Sequence, residues 1–360
     1  MGCVPEGDSG AADSSASTVA RASNANNVSG LVTDTLRPAV VTRAVPGDSD
    51  DPAIWVHPQD AALSRILGTD KGDSTGGVYS FALDGQLDSA RSVHPLRRPN
   101  NVDVEFDVSL DGSRVDVAAF TERNRQAIRV FALPEMRPLD RGGIRVFDGD
   151  TVRAPMGIAM YKRSRDGAVF VIVGGKSGPT NGSYLWQYRV SANGRGGVSA
   201  VPVRRFGQYS GRKEIESILV DDESGYVYYS DEGAGVRKYH ADPDSGDTEL
   251  ALFATTDVVD DHEGLAVYAT GARSGYIILS DQGANRIHLF TRDGSPGRPH
   301  AHRRVAIIPV AAQATDGLDA TSRPLGPRFP RGLLVMMSNR GGFHLYDWRD
   351  VEAMIARVTR

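Results

Sequence analysis

Acidic residues stand directly before several short apolar runs in this sequence. The clearest case is Asp50-Asp51-Pro52, which is followed at once by the β-type run Ala53–His57. Adjacent carboxylates repel each other, and a cation that faces both relieves the repulsion. Because proline fixes φ and lacks an N–H, the two acids should lie where a strand begins and not inside a hydrogen-bonded ladder. The motif therefore indicates a cation site at the end of a strand.

The apolar runs recur in groups of three, and the groups begin roughly 50–60 residues apart, a spacing in the range of propeller repeats. The six groups begin at Ala53, Val102, Gly157, Ser217, Gly264 and Gly317. Looser runs such as Arg145–Phe147, Val201–Phe206 and Arg304–Pro309 would supply outer strands, and Pro38–Val45 would close the ring beside the last group. The pattern predicts an all-β fold, a six-bladed β-propeller of four-stranded antiparallel blades closed by an N-terminal strand.

The chain is predicted to contain one folded domain. Residues 36–360 would form the catalytic propeller and end in a short helix, whereas residues 1–35 would be a disordered tether, because Asp8–Ser29 is polar and rich in Ser, Ala and Asn. Cys3 is the only cysteine, so no internal disulfide is expected. Gly2-Cys3 before such a tether resembles the end of a bacterial lipoprotein signal, which would make the protein secreted or a cell-surface lipoprotein. An incidental cysteine is the alternative.

Composition narrows the range of partners. The chain carries 41 Lys and Arg against 45 Asp and Glu, a net charge of −4, which is not the basic footprint of a nucleic-acid-binding protein. No apolar run approaches the roughly 18 residues that span a bilayer, so no transmembrane segment is expected. We expect a monomer that acts on a small molecule.

In a propeller, the loops before the first strands and after the second strands lie on one face, around one end of the central channel, here called the channel mouth. The loops before the first strands contain Asp50 and Asp51, Asn101 with Asp103, Met156, Glu216, Asp261 with Glu263, and Asp316. The loops after the second strands contain Lys71, Arg123, Lys176, Asp231 and Glu232, Asp281 and Gln282, and Asn339 and Arg340. The mouth is thus predicted to be basic on one side and acidic on the other.

This division of charge predicts a particular chemistry. Converging carboxylates without His or Cys are hard oxygen ligands, which suit Ca²⁺ and not Zn²⁺ or Cu²⁺. Lys and Arg are good donors to phosphate. Together they indicate a metal-bridged site for a heavily phosphorylated small molecule, where metal ions activate water and neutralise phosphate charge. Any one acid at a strand end is more often a turn or cap residue, so the prediction depends on their coincidence on one face.

In chain order these motifs resemble those of the β-propeller phytases, a family of calcium-dependent alkaline enzymes. The resemblance extends from about Pro38 to Trp348, and its matching stretches are Asp50–Trp55, Asn100–Asp103, Glu216 with Leu219–Glu223, Asp261–Leu265, Asp281–Gly283, Thr315–Asp319 and Leu325–Gly332. It implies a phosphomonoester hydrolase of the 3-phytase type that binds several Ca²⁺ ions. Its substrate would be myo-inositol hexakisphosphate (phytate), with calcium-bound water attacking one phosphate.

The resemblance also implies residue roles. The calcium-bridging carboxylates of the cleavage site would be Asp50, Glu216, Glu232, Asp261, Glu263 and Asp316. Lys71 and Arg123 would contact the scissile phosphate and act in catalysis with Glu216 and Asp261, and Lys176 would hold a second phosphate. Asp51 and the backbone near Val102 would belong to a structural calcium site.

Three positions depart from the family pattern. Met156 replaces a phosphate-binding Tyr, Ser217 replaces a Gly, and residues 309–314 lack an expected acid. Two alternatives stay open. A calcium-dependent propeller lactonase would need few basic residues at the mouth, so Lys71, Arg123 and Lys176 argue against it. A non-catalytic propeller that binds a partner would leave the carboxylates without a function.

Overall fold

A computed structural model describes residues 30–150, 153–339 and 342–358, and it confirms the predicted six-bladed β-propeller. Each blade is an antiparallel sheet, and the first strands of successive blades contact one another around the ring. The segment 1–29, with Cys3, lies outside the described residues. Among the described residues, no helix is both long and apolar enough to cross a bilayer.

The first three blades follow one another along the chain. Blade one contains β2 (Ser49–Trp55), β3 (Arg65–Asp70), β4 (Gly77–Ala82) and β5 (Leu87–Val93). Blade two contains β6 (Pro99–Leu110), β7 (Ser113–Glu122) and β8 (Ala127–Ala132), with two short strands, β9 (Arg137–Pro138) and β10 (Ile144–Arg145), both paired with β8. Blade three contains β11 (Pro155–Lys162), β12 (Val169–Gly175), β13 (Leu185–Ala192) and β14 (Val198–Phe206).

The remaining blades complete the ring. Blade four contains β15 (Ile218–Asp221), β16 (Tyr226–Asp231), β17 (Gly235–His240) and β18 (Ala251–Phe253). Blade five contains β19 (His262–Ala269), β20 (Gly275–Asp281), β21 (Arg286–Thr291) and β22 (Arg304–Pro309). Blade six contains β23 (Leu318–Thr321), β24 (Leu333–Ser338) and β25 (Gly342–Asp347), and the helix α1 (Trp348–Val358) follows it.

The ring closes as predicted, through an N-terminal strand. The strand β1 (Val40–Val41) pairs antiparallel with β25 and becomes the outer strand of blade six. The chain joins the propeller even earlier, because the Val32 N–H donates to the Ile307 carbonyl at 2.9 Å and the Leu36 N–H to the Pro309 carbonyl at 2.8 Å. The folded part therefore begins several residues before the predicted boundary at residue 36.

The helix α1 covers part of the closure. Trp348 at its start is fully buried and stacks on Tyr268 of blade five with ring centroids 3.4 Å apart. Val351 and Ile355 lie one and two turns further along and are also buried in the apolar cluster between blades five and six. Because apolar burial is the main favourable term in folding, the helix helps to hold blades five and six together.

Candidate active site

In four blades the pairing of the first strand is irregular near its start, and this irregularity sets where the side chains at the mouth point. The register shifts between Ser49 and Pro52 in β2 and between Pro99 and Val102 in β6, and similar shifts occur in β11 and β19. A bulge of this kind inserts unpaired residues and turns their side chains out of the normal alternation. Asp50 and Asp51 lie within the first shift, which lets two neighbouring carboxylates reach different parts of the channel.

Asp50 is the centre of a buried network at the mouth. Its Oδ1 accepts a hydrogen bond from Lys71 Nζ at 2.7 Å, and its Oδ2 accepts one from Asn100 Nδ2 at 2.8 Å. Lys71 Nζ also donates to Asp316 Oδ2 at 2.6 Å, and Asn100 Nδ2 lies 3.2 Å from Glu216 Oε1. Residues from blades one, two, four and six are thus brought together at the mouth. Asn100 is fully buried and was not predicted as a site residue, although it stands in the second matching motif.

Three further acids form a tight cluster beside this network. Glu216, Glu232 and Glu263 are buried, and one carboxylate oxygen from each lies within 4.8 Å of the others. Glu263 Oε2 is buried and has no hydrogen-bond partner in the described part of the chain. A buried polar atom normally has a partner, so this oxygen is a candidate ligand atom for a cation. An all-oxygen, acidic set of this kind fits Ca²⁺.

Burial and mutual repulsion disfavour the charged forms of these acids. Burial, followed by the charge of Asp50, raises the pKa of Glu216 to about 8. Burial and the neighbouring Asp261 raise the pKa of Glu232 to about 7, and burial and Asp50 raise that of Asp316 to about 7. Burial, with the charge of Glu216, also raises the pKa of Glu263 well above its usual range. The metal-free cluster therefore holds protons near neutral pH, which a bound cation would displace.

Lys71 and Arg123 supply the positive charge at the mouth. Burial alone would lower the pKa of Lys71, but Asp50 and Asp316 outweigh burial and raise it, so the amine stays protonated. Arg123 Nε is buried and has no hydrogen-bond partner among the described residues. Since a guanidinium remains charged in proteins, this N–H still needs an acceptor, which a phosphate oxygen could supply. Both predicted basic residues therefore lie where a phosphate could meet them.

Lys176 and Asp261 lie at the rim, and each is paired with a residue that the sequence analysis missed. Lys176 Nζ contacts Glu214 Oε1 at 2.6 Å, and Asp261 Oδ1 accepts a hydrogen bond from Lys213 Nζ. Lys213 and Glu214 come from the loop that leads to Glu216. Their position before a first strand is the signal that could have marked them as mouth residues.

The Asp51 carboxylate has different partners from that of Asp50. Its Oδ2 accepts a hydrogen bond from the Val102 N–H at 3.0 Å, and its burial raises its pKa well above the usual range. A Cβ at Gly317 would lie 2.0 Å from Asp51 Oδ1, so glycine is required there. In this structure Val102 presents a donor to Asp51, and the calcium role of the pair stays a prediction.

The acids that end the second strands require a correction. Asp231 and Asp281 were predicted to lie at the mouth with their neighbours Glu232 and Gln282. Instead, the Asp231 carboxylate is bound by Arg237 and Ser210, and the Asp281 carboxylate by Arg286. Successive side chains of a strand point to opposite faces, so the last strand residue anchors loops while the next one reaches the channel.

The same arrangement occurs in blade one, where the Asp70 carboxylate accepts hydrogen bonds from the N–H groups of Gly47, Asp48 and Gly72, next to Lys71. Gln282 does reach the mouth and donates to Asp316. Arg340 lies outside the described residues.

Two departures from the expected family pattern are accommodated locally. The Met156 side chain is buried, and its carbonyl accepts a hydrogen bond from Thr121 Oγ1 at 2.8 Å, so this position offers no side-chain donor to phosphate. Ser217 Oγ accepts a hydrogen bond from the Leu265 N–H at 2.9 Å. The extra hydroxyl therefore joins blades four and five.

Comparisons with known proteins agree with this geometry. The family model for Phytase matches residues 9–341. The 3-phytase of Bacillus subtilis (strain 168) is 30% identical over 330 residues, which cover 84% of this chain and 80% of that protein.

Two solved structures are similar to this chain in fold alone. A luciferin-regenerating enzyme has a TM-score of 0.51 at 12% identity, over 85% of this chain and 94% of its own. The hydrazine synthase of Kuenenia stuttgartiensis has a TM-score of 0.51 at 14% identity, over 90% of this chain and 98% of its own. The family match spans most of the chain, from residue 9 through β24 of blade six, and we conclude that this protein belongs to the phytase family.

Proposed function

We propose that the channel mouth is the hydrolytic site of a calcium-dependent phytase that removes phosphate from phytate. The observation that carries the proposal is the buried cluster of Glu216, Glu232 and Glu263, which lies beside the protonated amine of Lys71 and the free Nε of Arg123. An acidic pocket alone would repel a phosphate ester. A pocket that combines hard-cation ligands with cationic donors can bind one.

Glu216, Glu232 and Glu263 would hold calcium, with Asp50 and Asp316 beside them. When bound, calcium supplies positive charge to phosphate oxygens and activation of water. The three acids offer oxygen ligands only, and the unpartnered Glu263 Oε2 gives the ion a place to bind. These carboxylates therefore fit a calcium ion. Asp261 at the rim would become a further ligand once its hydrogen bond from Lys213 is broken.

The residues of the chain have separable tasks at the phosphate. Lys71 holds Asp50 and Asp316 together through its ammonium group, which would also be the donor to a phosphate oxygen. Arg123 offers its unpartnered Nε–H to the same group. Both donors stabilise the negative charge on the phosphate oxygens in the transition state. Asn100 orients Asp50 and Glu216 through one amide group.

The comparisons favour this function over the two alternatives. The 30% identical relative is a 3-phytase, and the Phytase family model covers most of the chain. The likeness to the luciferin-regenerating enzyme and the hydrazine synthase extends to the fold only, at 12–14% identity. Neither a lactonase nor a non-catalytic binding module has comparable support.

The test is release of inorganic phosphate by the purified protein. We expect release from phytate with CaCl₂ at neutral to mildly alkaline pH, loss of release with excess EGTA, and recovery when calcium is restored. A simple lactone should not be hydrolysed under the same conditions. Phosphate release that is unaffected by EGTA would contradict the calcium role, and lactone hydrolysis without phosphate release would contradict the phytase role.

Replacing Glu214 by glutamine should improve the binding of phytate. In the structure the Glu214 carboxylate neutralises Lys176, the predicted second-phosphate residue, and the side chains are 31% and 50% exposed. An exposed ion pair is worth about 0.2–1 kcal/mol, so we expect KM for phytate to fall by about 1.5- to 5-fold with kcat unchanged. The measurement is steady-state kinetics at saturating calcium.

The matched variant for this prediction is Lys176→Met, which should raise KM for phytate. If neither Glu214→Gln nor Lys176→Met changes KM, the second phosphate does not bind at Lys176, and the role implied by the family resemblance is wrong for this chain.

A further inference from the structure

Lys213 occupies the place of a cation at the rim of the mouth. Its Nζ donates to Asp260 Oδ1 at 2.8 Å and also to Asp261 Oδ1. The Lys213 side chain is 42% exposed, whereas that of Asp261 is 17% exposed. An ammonium group thus lies between two adjacent carboxylates, one of which faces the acidic cluster and helps to raise the pKa of Glu232.

Neighbouring basic residues do not share this arrangement. Arg212, one residue earlier, donates to the backbone carbonyl of Gly233. Lys71 also bridges two acids, but its side chain is 18% exposed and lies inside the Asp50 network. Lys213 is therefore a rim residue whose ammonium is held by a mouth carboxylate while much of its side chain is exposed to solvent.

An ammonium and a calcium ion cannot both bind Asp261 Oδ1 closely. Calcium ligands lie about 2.3–2.6 Å from the ion, so a cation there would bring two positive centres into contact. An ion pair at the rim of this kind is weak, and the lysine side chain has a flexible stem, so calcium can displace it. Displacing the Lys213 ammonium nevertheless lowers the free energy gained when calcium binds. A chain without this lysine would bind calcium more tightly.

We propose that Lys213 is a tethered counter-ion that competes with calcium for Asp261 and so sets the calcium concentration at which the mouth fills. This inference rests on the proposed function, because it takes calcium to be the ion that binds there. In the metal-free protein Lys213 neutralises the Asp260–Asp261 pair. When calcium binds, the ammonium leaves the carboxylate and extends into the solvent at the rim.

The test is calcium binding measured by calorimetry, which does not depend on enzymatic activity. Chelator-treated wild type, Lys213→Met, Lys213→Arg and Arg212→Met would each be titrated with CaCl₂. We expect Lys213→Met to bind calcium about 2- to 5-fold more tightly than wild type, since up to about 1 kcal/mol of competition is removed. Lys213→Arg, which keeps the ion pair, and Arg212→Met, which removes a neighbouring charge only, should stay close to wild type.

A second readout is the melting temperature. In EGTA, Lys213→Met should melt below wild type, because Asp260 and Asp261 lose their counter-ion, and the difference should close in calcium. Equal calcium affinity in Lys213→Met and wild type would overturn the inference, and so would an equal gain in Arg212→Met, which would indicate net charge alone. A wild type that binds no calcium would overturn the proposed function as well.

Discussion

Replacing Glu216 by glutamine should abolish phosphate release from phytate without destabilising the calcium-free protein. Glutamine has the same shape but cannot supply a charged ligand, and even outer-shell changes at metal sites cost about 10- to 100-fold, so we expect at least about a 100-fold loss. Burial and the charge of Asp50 raise the pKa of Glu216 to about 8, so the charged carboxylate destabilises the folded protein when no metal is bound. The melting temperature in EGTA should therefore stay the same or rise.

The matched control is Asp231→Asn, which changes a fully buried acid outside the mouth. Asp231 accepts hydrogen bonds from Arg237 Nε at 2.8 Å and from Ser210. Removing one partner of a buried ion pair costs about 3–5 kcal/mol, so this variant should melt at a lower temperature and keep turnover while folded. Parallel losses of stability and activity in both variants would mark Glu216 as structural.

The calcium-free protein should become less stable as pH rises from 5 to 9. The folded-state pKa is about 8 for Glu216 and about 7 for Glu232 and Asp316, above the values of about 4–4.5 that these groups have when unfolded. An acid with a raised folded pKa contributes stability below its unfolded pKa and loses it as pH rises through the folded pKa. Each pKa unit is about 1.4 kcal/mol, so we expect a loss of at least about 2 kcal/mol, most of it by pH 8.

Calcium should reverse this trend, because it binds the deprotonated acids and releases their protons. The stabilisation by calcium should grow between pH 6 and pH 9. Thermal melts in EGTA and in CaCl₂ across this range would measure both effects, and calorimetry in buffers with different ionisation enthalpies would count the released protons. A melting temperature in EGTA that does not change with pH would show that these acids are not strained by proximity in the metal-free protein.

The sequence predicted the propeller well, because its inner strands are buried and its strand groups recur at a regular spacing. The outer strands were harder to recognise. The strand Leu87–Val93 has no buried residue and Ala251–Phe253 has only three residues, and a strand that faces solvent has little apolar pattern. The closing strand was predicted from its position before the first group, and it pairs with the last strand of blade six as expected.

The mouth was predictable for a similar reason: in a propeller, strand order alone decides which loops share a face. Strand order did not reveal which of two neighbouring residues faces the channel. Asp231 and Glu232 have similar side chains. The strand pairing ends at Asp231, which is paired with Gly235, so Glu232 is the next residue and the one that is turned inward. Contacts between loops of different blades, such as Lys213 with Asp261 and Lys176 with Glu214, depend on loop conformation and have no sequence pattern.

The most direct test of the calcium site is a crystal structure of the protein grown with CaCl₂, with the ions located by anomalous scattering. We predict an ion at the mouth with oxygen ligands from Glu216, Glu232 and Glu263 at about 2.3–2.6 Å. We also predict that Lys213 no longer contacts Asp261. Calcium bound elsewhere, with no ion among these three carboxylates in a preparation that hydrolyses phytate, would contradict the account.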